Sequence, residues 1–157
     1  MDGRREMLRH AVATVAYRGG KAVHGAPAAF AAFKTGEPSR SAGEILAHIG
    51  DLFDWALSIA KGAEVWHNAK PLAWDAECAR FHASLKAFDD FLASDDQLSA
   101  PAERLFQGPV ADALTHVGQI AMMRRMAGAK ISGENYFLAD ITAGRVDADQ
   151  APPRKTF

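Results

Sequence analysis

The chain has 157 residues, 48% hydrophobic and 24% charged, which suits one globular domain and excludes a disordered one. Eighteen Lys and Arg against 19 Asp and Glu leave a net charge of −1, so no electrostatic argument supports nucleic acid or an acidic membrane as partner. One cysteine excludes an internal disulfide, no apolar run reaches the ~18 residues of a membrane span, and MDGRREMLRH lacks a signal-peptide apolar region; a cytoplasmic location is the expectation.

Alanine fills 32 positions while Val, Ile and Thr together fill 18, a bias toward helix and away from strand that predicts an all-α chain. The first helix begins near residue 3, with Met7, Leu8, Ala11, Val12 and Val15 at helical spacing, and Gly19 and Gly20 end it or soften it. A connection follows from Gly25 to Arg40, pinned to the bundle by Phe30 and Phe33. The second helix starts at the capping box Ser41-Ala-Gly-Glu44 and runs to about Ala60, with Ile45, Ile49, Leu52, Phe53, Ala56 and Ile59 as its apolar stripe and Gly62 as its stop.

The third helix follows Pro71 and ends before Ser94-Asp95-Asp96, with a seam of Trp74, Cys78, Phe81, Leu85, Phe88 and Leu92. A short helical turn, PAERLF, precedes a fourth helix for which Pro109 is the natural first residue and Gly128 the stop. Beyond it, Tyr136, Phe137, Leu138 and Ile141 form an apolar knot expected to dock on an end of the bundle, followed by an extended polar tail. Residues 1–157 thus read as one domain: a four-helix bundle, up-down-down-up or similar, with its core over about 3–128 and a short C-terminal appendage over 129–157.

Chemistry concentrates on the fourth helix. At ~100° per residue, Asp112 and His116 lie about 40° apart and one turn displaced, and Gln119 completes a polar strip beside Ala113, Val117 and Ile120. The wet face of this helix is expected at Arg124 and Arg125, which leaves the strip free to turn partly inward. On the second helix His48 points near Leu52, Trp55 and Ile59, where an unpaired ring nitrogen costs ~1–3 kcal/mol if buried and a metal would satisfy it. Two histidines and a carboxylate from facing helices suffice for a divalent cation with open positions, Zn²⁺, Ni²⁺, Fe²⁺ or Mn²⁺ rather than copper.

The plainer readings stand beside this one. Asp and His four apart on a helix also make surface ion pairs worth ~0.2–0.5 kcal/mol, and a lone histidine such as His48 also serves in a core, bonded to a carbonyl. The capping box accounts for Glu44, and the apolar seam accounts for Cys78 and argues against a dyad with His82. His10, His24 and His67 have no patterned partner, the glycines form no phosphate-binding spacing, and Met122, Met123 and Met126 suit core or dimer packing.

SAGEILAHIGDLFDWAL in the second helix and DALTHVGQIAMMRRMAG in the fourth resemble the DinB/YfiT-like family of four-helix-bundle metalloenzymes, over roughly residues 3–141 in order and helix spacing. The resemblance implies that His48 and His116 are the first and last of three metal ligands, with Gln119 at the family's usual position behind them. Asp112 stands where the family commonly has histidine, and a carboxylate there changes the charge and preferred metal of the site more than it removes it.

The resemblance further implies a metal-dependent transferase or hydrolase acting on a small electrophile, with a low-molecular-weight thiol as a further cofactor in the transfer case. Gln119 would orient a ligand or bound water, and Trp55, Tyr136 and Phe137 would line the pocket. Asp140 is a more distant candidate ligand, and residues 136–140 either cover the site or cap the bundle. The competing expectation is a non-catalytic binding protein, a homodimer through Ala-rich and Met-rich helix faces, whose metal site is structural or vacant. A DNA-directed role has no basic patch behind it.

Overall fold

Four long helices carry the chain: α1 (Gly3–Val23), α2 (Ala42–Ala60), α3 (Trp74–Ala93) and, after a short α4 (Ala102–Leu105), α5 (Ala111–Met126), in a computed structural model that describes residues 2–157. Side-chain contacts fix their directions. The Arg5 guanidinium, near the start of α1, donates to the carbonyls of Leu92 and Phe91 at the end of α3, and further along Gly19 meets Phe81, so α1 and α3 are antiparallel. Gly50 backs onto Arg80, and Lys61, just past α2, lies over Phe91, so α2 and α3 run the same way. Arg4 pairs with Glu103 at one end and Arg124 reaches the carbonyls of Ala22 and His24 at the other, so α5 runs with α1. The order is up-down-down-up, and α1 and α2 are diagonal, each packed between α3 and α5.

Sequence explains most boundaries. Ser41 and Glu44 close the reciprocal capping box that starts α2, and Gly62 and Gly128 take φ of +76° and +77° beyond the ends of α2 and α5, a conformation that costs glycine little. The core is built on Phe53, Phe81, Phe88, Ile49, Leu46 and Ile120. Among the described residues no helix is long and apolar enough to cross a membrane.

The parallel α2–α3 pair has a covalent consequence. Residues 61–73 must return along the ~28 Å of α2, and at roughly 3.3 Å per extended residue they span it with chain to spare. This strap is exposed along its length and is held by hydrogen bonds. Val65 N–H donates to the Ser58 hydroxyl, Ala69 N–H to the Asp51 carboxylate and Leu72 N–H to Glu77, while the Trp55 indole donates to Glu64.

Several sequence expectations are corrected. Of the two alternatives at Gly19 and Gly20, the helix does not end there but runs on to Val23, and Gly19 is a contact glycine, because a Cβ there would meet the Phe81 ring at 2.5 Å. Pro109 does not begin a separate helix. It lies inside a π-helical turn, Phe106–Val110, that joins α4 to α5, and the wider turn accommodates a residue with no N–H to give. Arg124 is buried at 5% exposure, not wet, because its guanidinium satisfies the carbonyls of Ala22, His24 and Ala129 at the helix ends.

The C-terminal knot does not dock as a unit, since Phe137 is 94% exposed. Tyr136 leans on Tyr17 and Arg18 of α1, and the buried members of this region are Glu134 and Val146. The tail turns back on its own start, with Asn135 N–H donating to Lys155 and Phe157 N–H to Gly133.

Candidate metal centre

Helices α2 and α5 face each other, and the π turn helps decide what α5 presents. A π turn adds about one residue to an α-helical rod, which rotates everything after it by ~100° relative to an unbroken helix. Beyond it, Asp112 and His116 stand one turn apart opposite His48. His48 Nε2 lies 3.7 Å from Asp112 Oδ2, and His116 Nε2 lies 3.4 Å from Asp112 Oδ1. The two imidazoles meet edge to face with centroids 4.8 Å apart. One ligand atom from each of the three residues falls within 4.8 Å of the other two.

These spacings suit a cation. Zinc bonds of about 2.1 Å in tetrahedral array set donors about 3.4 Å apart, so the Asp112 and His116 atoms are already at that separation, His48 lies 3.7 Å from Asp112, and the group as a whole, spread over as much as 4.8 Å, would contract around a cation. The donor set, two imidazoles and a carboxylate, is chemically right for Zn²⁺, Ni²⁺, Fe²⁺ or Mn²⁺. Both histidine side chains are largely covered, at 16% and 14% exposure, while Asp112 is half exposed, so the group is reached from solvent on the Asp112 side.

Two features hold the imidazoles ready. Gln119 Oε1 lies 2.7 Å from His116 Nδ1; with that oxygen accepting, Nδ1 carries the hydrogen and Nε2 keeps the lone pair that faces Asp112. Burial, helped by the nearby His116 and Arg40, pushes the His48 pKa below that of a free histidine, against the weaker pull of Asp112 and Asp51. His48 therefore favours the neutral form, the one that binds metal.

The chain matches no protein-family model, no curated protein and no solved structure in any of the three comparisons made.

The surroundings differ in part from the sequence expectation. Trp55 does stand near the group, but through an intermediary: its ring meets Trp66 at 5.8 Å, and Trp66 meets the His48 ring at 5.6 Å. Trp66, carried by the strap, is the neighbour that sequence reasoning missed. Tyr136 lies against α1, Phe137 faces solvent, and Asp140 pairs with Arg154 at 3.0 Å, so none of these three joins His48, Asp112 and His116.

The sequence also left unread a buried acidic cluster on α2 and α3. Asp51 and Glu77 are 3% and 0% exposed and are held with Asp54 by the Arg80 guanidinium, at 2.6 Å to Asp51, 2.9 Å to Asp54 and 3.3 Å to Glu77. The other oxygens of Asp51 and Glu77 anchor the strap. Glu77 and Arg80 three apart on a helix was the readable signal. Cys78 is half-buried beside this cluster, and burial with Asp75 and Glu77 pushes its thiol up to about 11, which keeps it protonated and a poor nucleophile.

Proposed function

We propose that this chain is a divalent-metal protein of the DinB/YfiT-like kind, holding one cation through His48, Asp112 and His116. The observation that carries the reading is the convergence of three ligand atoms, from two helices, within 4.8 Å. A bound cation of this type would supply Lewis acidity and bring the pKa of water or a thiol toward neutrality. The residues of the chain supply the rest. His48 and His116 present ring nitrogens, Asp112 offsets one unit of the cation's charge, and Gln119 keeps the His116 ring in register. Trp66 stands against the His48 ring and Asp112 is the half-exposed member of the group, so a substrate approaches past Asp112.

A small electrophile fits this layout, as substrate of a hydrolysis or of transfer from a low-molecular-weight thiol. The second reading is a non-catalytic helical binding protein that pairs with a copy of itself. It draws on the apolar groove between α1 and α4, where Met7 and Phe106 are 66% and 47% exposed.

The deciding experiment is elemental analysis of protein purified without a histidine tag or chelator, beside His116→Ala. About one equivalent of a divalent metal, lost in the variant, supports the metalloprotein reading. No metal bound even after reconstitution rejects it.

A further inference from the structure

On the edge of the bundle opposite the α2–α5 pair, a cleft of about 640 Å³ opens between α1 and α3 under residues 148–153 of the C-terminal segment. That volume lies within the ~300–1,000 Å³ range of small-molecule sites. Tyr17 and Lys21 form one wall and Trp74, Cys78 and His82 the other. Gly20 lies where His82 comes close to α1, and with no side chain it leaves a gap there of about one methyl group. An added Cβ there would touch the His82 ring only at 3.5 Å and the Gln150 side chain at 3.9 Å.

The polar groups of the cleft restrict what it can take. The Lys21 ammonium is committed to the buried carboxylate of Glu134 at 2.6 Å, and Tyr17 donates to the same carboxylate. The exposed Asp75 and Asp149 at the mouth repel an anion. The Cys78 thiol is protonated. His24, also on the lining, is exposed; of the half-buried side chains on the two walls, His82 is the one left open. Its Nδ1 lies 3.1 Å from the Val146 carbonyl oxygen, which can only accept, so Nδ1 carries the hydrogen and Nε2 of the neutral ring is a bare acceptor. The ring edge bearing Nε2 faces Gly20, on the cleft side.

We propose that the α1–α3 cleft binds a small, uncharged, largely apolar molecule carrying one hydroxyl or N–H donor, its body over Gly20 and its donor on Nε2 of His82. The site is separate from His48, Asp112 and His116 and does not depend on the metal reading.

Cys78, the one cysteine of the chain, reports on it. The full chain is titrated with 2-naphthol at neutral pH, with naphthalene as the analogue lacking the donor, while binding is followed by calorimetry and the alkylation of Cys78 by N-ethylmaleimide is timed. Saturable binding of 2-naphthol, at least five-fold tighter than naphthalene, with Cys78 alkylation slowed, is the expected result. Gly20→Leu, which grows a side chain into the cleft, and Ala148→Trp, an exposed position in its roof, should each weaken binding ten-fold or more. Ala148→Trp leaves the helices untouched, so it decides the matter if Gly20→Leu does not fold. Absence of saturable 2-naphthol binding, equal affinity for naphthalene, or full affinity in Ala148→Trp overturns the proposal.

Discussion

The Trp66 indole stands edge-on to the His48 imidazole, centroids 5.6 Å apart and planes at 67°, although the two residues come from the strap and from α2. A paramagnetic cation held by His48 would be bound to a ring in contact with an indole and would quench it. Titration of the chain with Co²⁺ or Ni²⁺ should lower tryptophan emission in a saturable way, with Trp66→Phe removing most of the effect. Trp74, buried among Phe30 and the core, should contribute little. Emission that is unchanged by either cation would show that no metal binds beside Trp66.

Gln119 offers a second handle on the same group. It touches no other member of the candidate site and acts only through Nδ1 of His116. Partners of this kind are worth roughly 10–100-fold in metal affinity. Gln119→Leu should weaken Zn²⁺ or Ni²⁺ binding by about that factor, read by competition with a chelating dye, while circular dichroism stays native because Gln119 is exposed. Unchanged affinity would remove Gln119 from the site.

How much of this was legible depended on whether the signal was local. The capping box at Ser41, the apolar stripe of α2 and the stop at Gly62 are written in consecutive residues, and the fold follows them. The pairing of Asp112 with His116 is a spacing on one helix, so it could be read without knowing any neighbour. Trp66 beside His48, and Asp51 and Asp54 as partners of Arg80, could not, because these contacts cross between the strap, α2 and α3, and the return strap leaves no periodic trace. Pro109 misled for a related reason. A proline suits the first turn of a helix, and only packing against α2 and α1 favours carrying the helix through it as a π turn.

Arg80 should be the most costly side chain to remove from the α2–α3 interface. Its guanidinium is the counter-charge for Asp51 and Glu77, which are 3% and 0% exposed. Stripping one partner from a buried ionic cluster typically costs ~3–5 kcal/mol, since the remaining charge stays desolvated. Urea unfolding of Arg80→Met should show a loss of that order. The strap should also loosen, because the oxygens released by Arg80 are on the carboxylates that hold Ala69 and Leu72. Limited proteolysis between residues 61 and 73 reads that directly, and wild-type resistance there would separate the cluster from the strap.

Adjacent glycines in α1 should respond in opposite directions. A Cβ on Gly19 meets the fully buried Phe81 ring at 2.5 Å, so Gly19→Ala forces the α1–α3 contact apart and should cost ~1–3 kcal/mol, as overpacking does. A Cβ on Gly20 finds ordinary contact distances, so Gly20→Ala should gain the ~0.5–1 kcal/mol by which alanine exceeds glycine inside a helix. Thermal melts of the two variants decide it. A stabilised Gly19→Ala would mean that Phe81 turns aside without strain.

Mild acid should destabilise the metal-free protein through two histidines. Burial lowers the pKa of both His48 and His82 in the folded chain, so as pH falls through ~6.5 the unfolded state takes up protons that the folded state still refuses. Stability from these two groups is therefore present above that pH and is lost on the way down to their folded values. With chelator present, the melting temperature should fall between pH 7.5 and 5. His82→Gln, which keeps an N–H for the Val146 carbonyl and carries no titrating ring, should flatten part of the slope. His48→Gln should flatten another part, and because the two rings lie on different helix seams the two reductions should add. A slope that neither variant changes would assign the acid sensitivity to the carboxylates instead.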